Sequence, residues 1–232
     1  MANTSPREIL SVGSDRSPAR AREDYVKAIY QLSADGPVRA ASLARYLRVS
    51  RVSVSKAKHL LEIEGLLERQ SPPSQPLRLS VRGYKLAVSV VRRHRLLETF
   101  LHRVLHVPLE TIHAEAERIE HAISDDIALR IAALLRHPRF DPHGHPIPYG
   151  DVGPPRKRLP TLANLAVGIK ARVVSLDDRD GEAVAALAAA GVLPGSTLRV
   201  ERSERGKVFV RCGKKRVLAL RRRHAEMVRI VS

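Results

Sequence analysis

Residues 38–70, VRAASLARYLRVSRVSVSKAKHLLEIEGLLERQ, hold the pattern that decides the fold. Val38 to Leu47 has apolar residues at helical spacing. Arg48-Val49-Ser50 is a tight link, and Arg51 to Glu64 reads as a further helix that Ser50 can cap. Gly65 ends that helix, because glycine accepts the left-handed conformation at a helix C-terminus. Leu66-Leu67-Glu68-Arg69-Gln70 and Leu77-Arg78-Leu79-Ser80 then alternate like two short strands about the tip 71–76. The pattern predicts a helix–turn–helix followed by a β-wing.

Working outward, Asp24 to Leu32 predicts an earlier helix with Val26, Ile29, Tyr30 and Leu32 as its apolar stripe, stopped by Asp35-Gly36-Pro37. Residues 1–22, with Ser5-Pro6 and Ser17-Pro18, read as a flexible tail. Downstream, Val81 to Val107 and His113 to Leu135 read as two long helices. Prolines concentrate in 138–160, which reads as a linker, partly ordered, whose last part, 149–160, carries Arg156-Lys157-Arg158. From Leu162 the pattern becomes short strands, Ala171–Leu176, Thr197–Ser203, Lys207–Cys212, Val217–Leu220 and Met227–Val231, with one helix from Glu182 to Ala190. The expected architecture is therefore mainly α with a small β domain. Its parts are a winged helix–turn–helix over 23–82, a helical domain over 83–148 and an SH3-like β-barrel over 161–232.

Composition narrows the function. The 232 residues carry 41 Lys and Arg against 24 Asp and Glu, a formal charge of +17. With 44% hydrophobic residues, general disorder is excluded. A single cysteine, Cys212, excludes a disulfide framework and a cysteine-based zinc site. The longest apolar run, Ala183 to Leu193, is too short for a membrane span, and the first 22 residues hold no apolar segment of a signal peptide. The expectation is a cytoplasmic protein with a polyanionic partner, most simply double-stranded DNA; an acidic membrane surface is the weaker alternative. On the helix from Arg51, the residues Arg51, Ser53 and Lys56 face one way for base edges, with Val54, Leu60 and Leu61 behind. Arg45, Arg48, Lys58 and the wing residues Arg69 and Arg78 are placed for phosphates, and Ser50 is counted with the DNA-binding residues.

A denser constellation lies at 94–121, where five of the 10 histidines stand among glutamates. His94 and Glu98 are four apart and share a helix face; Glu117, Glu120 and His121 share another, with His113 one turn before Glu117. Two antiparallel helices can present these groups to one cation. Nitrogen and oxygen donors without thiolate suit Mn²⁺, Fe²⁺, Co²⁺ or Zn²⁺. The plainer alternative is a set of surface Glu–His pairs. Asp24, at the start of the first helix, is by itself explained by the helix dipole.

Taken together, the stretches Glu23-Asp24-Tyr25 to Ile29-Tyr30, Arg93-His94-Arg95-Leu96-Leu97-Glu98, Glu117-Arg118-Ile119-Glu120-His121 and Gly144-His145-Pro146-Ile147-Pro148 resemble the diphtheria-toxin-repressor/manganese-transport-repressor (DtxR/MntR) family of metal-dependent transcription regulators. Ala190-Gly191-Val192-Leu193-Pro194-Gly195 looks like the SH3-like, FeoA-like domain of its longer members. The resemblance implies a homodimeric repressor of metal-ion homeostasis genes, with no enzymatic activity, no membrane and no small organic substrate. It implies a primary metal site at Asp24, His94, Glu117, Glu120 and His121. It also implies an ancillary site at His113, His94 and Glu98, completed by Asp180 or Glu182. Asp24 and Glu117 follow the manganese pattern, where iron-type members have Met and Cys, so Mn²⁺ is the expected ion, with Fe²⁺ or another divalent transition metal as the alternative. Manganese-type members place a Glu where this chain has Lys27, and an ammonium cannot ligate, which puts a close two-metal site in doubt. Two other readings stand beside this one. A metal hydrolase built on the Glu-x-x-Glu-His helix lacks a histidine where Glu117 stands, and a winged-helix regulator could sense something other than metal.

Overall fold

The structure is a computed structural model and describes residues 17–69, 75–150, 159–213 and 217–232. Helix α1, Pro18–Ser33, begins inside the stretch expected as a flexible tail. Ser17 accepts from the Arg20 amide, and Pro18 at the first helical position is already set at a helical φ, so the chain starts its helix earlier than its apolar stripe does. Residues 1–16, the wing tip 70–74 and linker residues 151–158 lie outside the described residues.

Helices α2, Ala40–Leu47, and α3, Arg51–Ile63, form the helix–turn–helix. Arg48 takes the left-handed conformation between them, and Ser50 caps α3 by accepting from the Ser53 amide. Among the described residues, the two wing segments join through an isolated antiparallel bridge, Leu67 with Leu79, and a second bridge ties Leu77 to Val38. Val26, Ile29, Leu43, Val54, Leu61 and Leu66 close a core that also takes in Val88 and Val91. Leu60, expected behind α3, is instead 56% exposed.

Helix α4, Val81–Arg103, runs from this core into the next one and packs against α1. The single helix expected from His113 to Leu135 is two: α5, Ile112–Ile119, and α6, Asp125–Leu134. Ser124 caps α6 and accepts from the Ile127 amide, and Asp125 and Asp126 in its first turn suit the dipole, so a new helix starts there. The break leaves Glu120 and His121 at the end of α5, free to turn toward α1.

The C-terminal part is a five-stranded antiparallel sheet in the order β4-β3-β2-β1-β5. Its strands are β1 Lys170–Leu176, β2 Thr197–Glu204, β3 Lys207–Cys212, β4 Val217–Arg221 and β5 Val228–Val231. Helix α7, Gly181–Ala189, follows β1, and a short helix that the sequence reading lacked, α8, Arg222–Glu226, precedes β5. Register shifts at Val173/Ser175 and Val200/Arg202 bend the sheet. Leu162, Leu176, Leu187, Leu198, Val210 and Ile230 fill its core, with buried Cys212 among them.

Residues 138–150, read as linker, are built into the fold. Phe140 bridges Pro146, the Leu176 amide donates to the His143 carbonyl at 2.9 Å, and Gly144, at φ +89°, lies so close to the Val174 carbonyl that a Cβ would collide with it. The glycine lets this loop lie flat on β1 and holds His143 at the junction of the helical and β parts.

Candidate metal centre and DNA-binding face

His94 stands at the middle of the centre, 3% exposed on α4. Around its Nδ1 atom, α1 brings Asp24 and, one turn later, Lys27, while the end of α5 brings Glu117, Glu120 and His121. His94 Nδ1 lies 2.5 Å from Glu120 Oε2. The Lys27 ammonium donates to Glu117 Oε1 at 2.8 Å and to Glu120 Oε1 and Oε2 at 2.8 and 2.9 Å. It also lies 3.2 Å from His94 Nδ1. His121 Nδ1 is 2.6 Å from Glu23 Oε2, and its Nε2 faces Asp24 Oδ1 at 2.9 Å and Glu120 Oε1 at 3.3 Å. Arg93 pairs with Glu23 at 2.8 Å and with Asp125 at 3.2 Å, tying α1 and α6 to α4.

Around His94 Nε2 a second group assembles. Glu98 Oε1 lies 3.1 Å away and His113 Nδ1 also 3.1 Å. Asp178, from the loop between β1 and α7, approaches His113 Nδ1 at 3.6 Å and His143 Nδ1 at 3.6 Å. His143 Nε2 is 3.1 Å from the Leu109 carbonyl. In the same loop Arg179 stacks on the Tyr46 ring at 4.6 Å, so one turn of chain touches both this group and the helix–turn–helix.

These groups hold their charge by proximity. Burial and the Lys27 charge push His94 down, but Glu98 and Glu120 outweigh them and lift it to about 10. His121 is lowered by burial and raised by Asp24 and Glu23, to about 9; His143 reaches about 9 against its own burial through Glu98 and Asp178. Burial raises Glu120, but Lys27 and His94 bring it down to about 2. Glu98 is lowered well below the usual carboxylate range by His94 and its histidine neighbours, again against burial. The metal-free centre is thus a set of imidazolium and carboxylate ions, and ligation has to expel imidazole protons.

The donor atoms fall into groups compact enough for one ion each. Asp24, Glu120 and His121 form one; His94, Glu117 and Glu120 a second; His94, Glu98, His113 and Asp178 a third; Glu98, Asp141 and His143 a fourth. The donors fit a divalent cation on a structural ground as well. Among the described residues, Glu98 Oε2 and His143 Nδ1 are buried without a hydrogen-bond partner. Leaving such a group unmatched costs about 1–3 kcal/mol, which a bound cation offsets.

The five expected primary residues come together in two overlapping groups that share Glu120, one with Asp24 and His121 and one with His94 and Glu117, and Glu98 and His113 come together in a third. Asp180 and Glu182 do not. Asp180 is spent as the cap of α7, accepting from the Ala183 amide at 3.1 Å, and Glu182 is exposed in that helix's first turn. Asp178, two residues earlier and still in the loop, takes the place expected for them. The sequence reading also missed Glu23, His143 and Asp141. The signal was there in Asp141, His143 and His145, three donors within five residues, but prolines around them pointed to a linker. His102 and His106, read as surface histidines, belong to none of the donor groups.

On the helix–turn–helix and wing, Arg48, Ser50, Arg51, Ser53, Lys56, Arg69 and Arg78 are all exposed. The Ser50 and Ser53 hydroxyls lie 2.8 Å apart, so both are partly committed to capping α3. Among the described residues no helix is long and apolar enough to cross a membrane.

Comparison with known proteins gives the family. A family model described as "Iron dependent repressor, metal binding and dimerisation domain" matches residues 80–149, and a FeoA domain matches 161–232. The iron-dependent repressor IdeR of Mycobacterium leprae is 33% identical over 202 residues, 81% of this chain and 86% of its own length. The diphtheria toxin repressor of Corynebacterium glutamicum is 32% identical over 200 residues, again 81% and 86%. A solved manganese-dependent transcriptional repressor in complex with manganese superposes with a TM-score of 0.81 at 31% identity, over 91% of this chain and 99% of that one. A winged helix–turn–helix joined to buried His/Glu/Asp clusters and a FeoA-type domain defines a metal-dependent transcriptional repressor. The chain belongs to the diphtheria-toxin-repressor (DtxR) family, and these relatives are repressors.

Proposed function

We propose that this chain is a cytoplasmic, homodimeric, Mn²⁺-responsive repressor of metal-ion homeostasis genes. The observation that carries the reading is the donor set Asp24, His94, Glu117, Glu120 and His121, all oxygen and nitrogen, drawn from α1, α4 and the end of α5. Hard carboxylates suit Mn²⁺, while soft thiolate favours later metals, and Cys212 is in the core of the C-terminal sheet. The same donors accept Fe²⁺, which the iron-dependent relatives make the second choice.

A bound divalent ion supplies a positive charge shared by carboxylates of different helices, which opposes their separation. The rest of the mechanism belongs to the chain. Asp24 stands on α1, which packs on α2 and α3, so holding Asp24 against Glu120 and His121 orients the recognition helix. Arg51, Ser53 and Lys56 then face base edges, while Arg48, Ser50, Arg69 and Arg78 face phosphates. Dimerisation sets two such helices at the spacing of a palindromic operator's half-sites. Ile127, Leu129 and Leu134 of α6, exposed by 44%, 50% and 65%, offer an apolar surface for it, within the region that matches the dimerisation-domain model.

Metal and DNA affinities must then be coupled reciprocally. Titration of labelled operator DNA at one salt concentration, with and without Mn²⁺, is expected to show at least about a fivefold gain with metal, the low end of ordinary coupling. Equal affinity in both conditions would overturn the reading. In the same assay Lys56→Ala is expected to weaken operator binding while leaving Mn²⁺ affinity of the free protein unchanged.

A further inference from the structure

Lys27 is 5% exposed and stands inside the donor group formed by His94, Glu117 and Glu120. A lysine ammonium has three protons to donate and no lone pair. Here they are directed at Glu117 Oε1 and at both oxygens of Glu120. Glu120 is fully buried, so its carboxylate holds Lys27 from both oxygens as it would hold an ion. Burying one charge alone is costly, and it is tolerated where opposite charges and hydrogen bonds surround it. With two glutamates about it, this ammonium meets that condition without any added cation.

The neighbouring groups differ. In the Asp24, Glu120 and His121 group Lys27 reaches Glu120 alone, and among the described residues no lysine or arginine pairs with Asp24 or His121. Beyond His94, the Glu98, His113 and Asp178 group leaves Glu98 Oε2 and His143 Nδ1 without partners. One position is already filled and two are incomplete.

We propose that the Lys27 ammonium is a tethered cation that fills the His94–Glu117–Glu120 position, so that Lys27 determines how many metal ions the chain takes. The inference rests on the reading that the chain binds metal, and it assigns to a non-ligating residue the control of stoichiometry. Ions enter beside Asp24 and His121 and at the Glu98–His113–Asp178 side. No ion enters between His94, Glu117 and Glu120 while Lys27 is there. Replacing Lys27 by glutamate removes the tethered charge and adds a donor, which creates a second ion position sharing Glu120 with the first.

The test is Mn²⁺ stoichiometry of the full-length protein by equilibrium dialysis with elemental analysis, read together with electron paramagnetic resonance. Lys27→Glu is expected to bind one more Mn²⁺ per protomer than the wild type, with the broadened signal of a spin-coupled pair. Lys27→Met, which vacates the position without adding a charge, is expected to gain the same ion more weakly. Equal stoichiometry in the wild type and both folded variants would overturn the proposal. A spin-coupled pair in the wild type would overturn it with no variant needed. If the wild type takes up no Mn²⁺, Fe²⁺ or Co²⁺ at all, the metal-sensing function itself falls, an outcome distinct from unchanged stoichiometry in a protein that does bind metal.

Discussion

The two sides of His94 are built from the same residue types and behave differently. On the Nδ1 side, Glu117 and Glu120 are compensated by Lys27, a cation the chain carries itself. On the Nε2 side, Glu98 is buried among histidines, with one oxygen unpartnered and its closing carboxylate, Asp178, delivered from another part of the chain. The first side is nearly complete within the helical region. The second needs the C-terminal domain and has more to gain from an added ion. Ligand chemistry alone does not separate the two; the nearest fixed charge does.

The largest expected effect comes from breaking the compensated side. Glu120→Ala leaves Lys27 buried without its main counter-charge and His94 with Glu98 alone, and loss of one partner of a buried pair costs about 3–5 kcal/mol. Thermal or urea denaturation of the metal-free protein measures it, and a loss under 1 kcal/mol would show that the centre is far better hydrated than its burial implies.

Asp178→Ala is expected to remove one side of the second group, lowering Mn²⁺ uptake there with little change in stability. Asp180→Ala sharpens the comparison. It is expected to leave metal uptake intact and to cost about 1 kcal/mol through loss of the α7 cap. Equal effects of the two on metal binding would return Asp180 to the site.

The smallest effect is in pH dependence. Folding holds Glu120 at about 2, below its ordinary range, so its contribution is present above pH 4.5 and is lost as pH falls toward 2. Folding holds His94 at about 10, so its contribution is full below 6.5 and is lost as pH rises toward 10. Metal-free stability is therefore expected to decline on both sides of the interval from pH 4.5 to 6.5. Mn²⁺ affinity is expected to rise with pH, because imidazolium must give up its proton to ligate; proton release on Mn²⁺ addition in weak buffer near pH 7.5 measures this.

Much of the architecture was legible because local signals agreed. The Ser50 cap, the link at Arg48 and the apolar positions of α2 and α3 all mark a helix–turn–helix, and β3 has the bounds its alternation predicts. Errors fell where two local signals competed. Pro18 looked like tail but starts a helix, Ser124 and its acids split a helix that apolar periodicity ran together, and prolines near His143 hid an ordered loop. Asp178 and Asp180 are acids of one turn, and only the start of α7 shows which of them is spent on a cap.

The sequence by itself determined which residues could ligate and which helix face each one occupies, since helical period is a local property. It also determined the basic surface and the absence of thiolate from the 94–121 constellation. Only the tertiary structure decided which faces share a cation. Asp24 and Lys27 reach Glu120 across about a hundred residues of chain, and Asp178 reaches His113 from another domain. Packing of α1 on α4, and of the 138–150 loop on β1, brings them together. Electrostatics acts over a few ångströms, so those two contacts decide which charges face each other, and spacing along the chain does not.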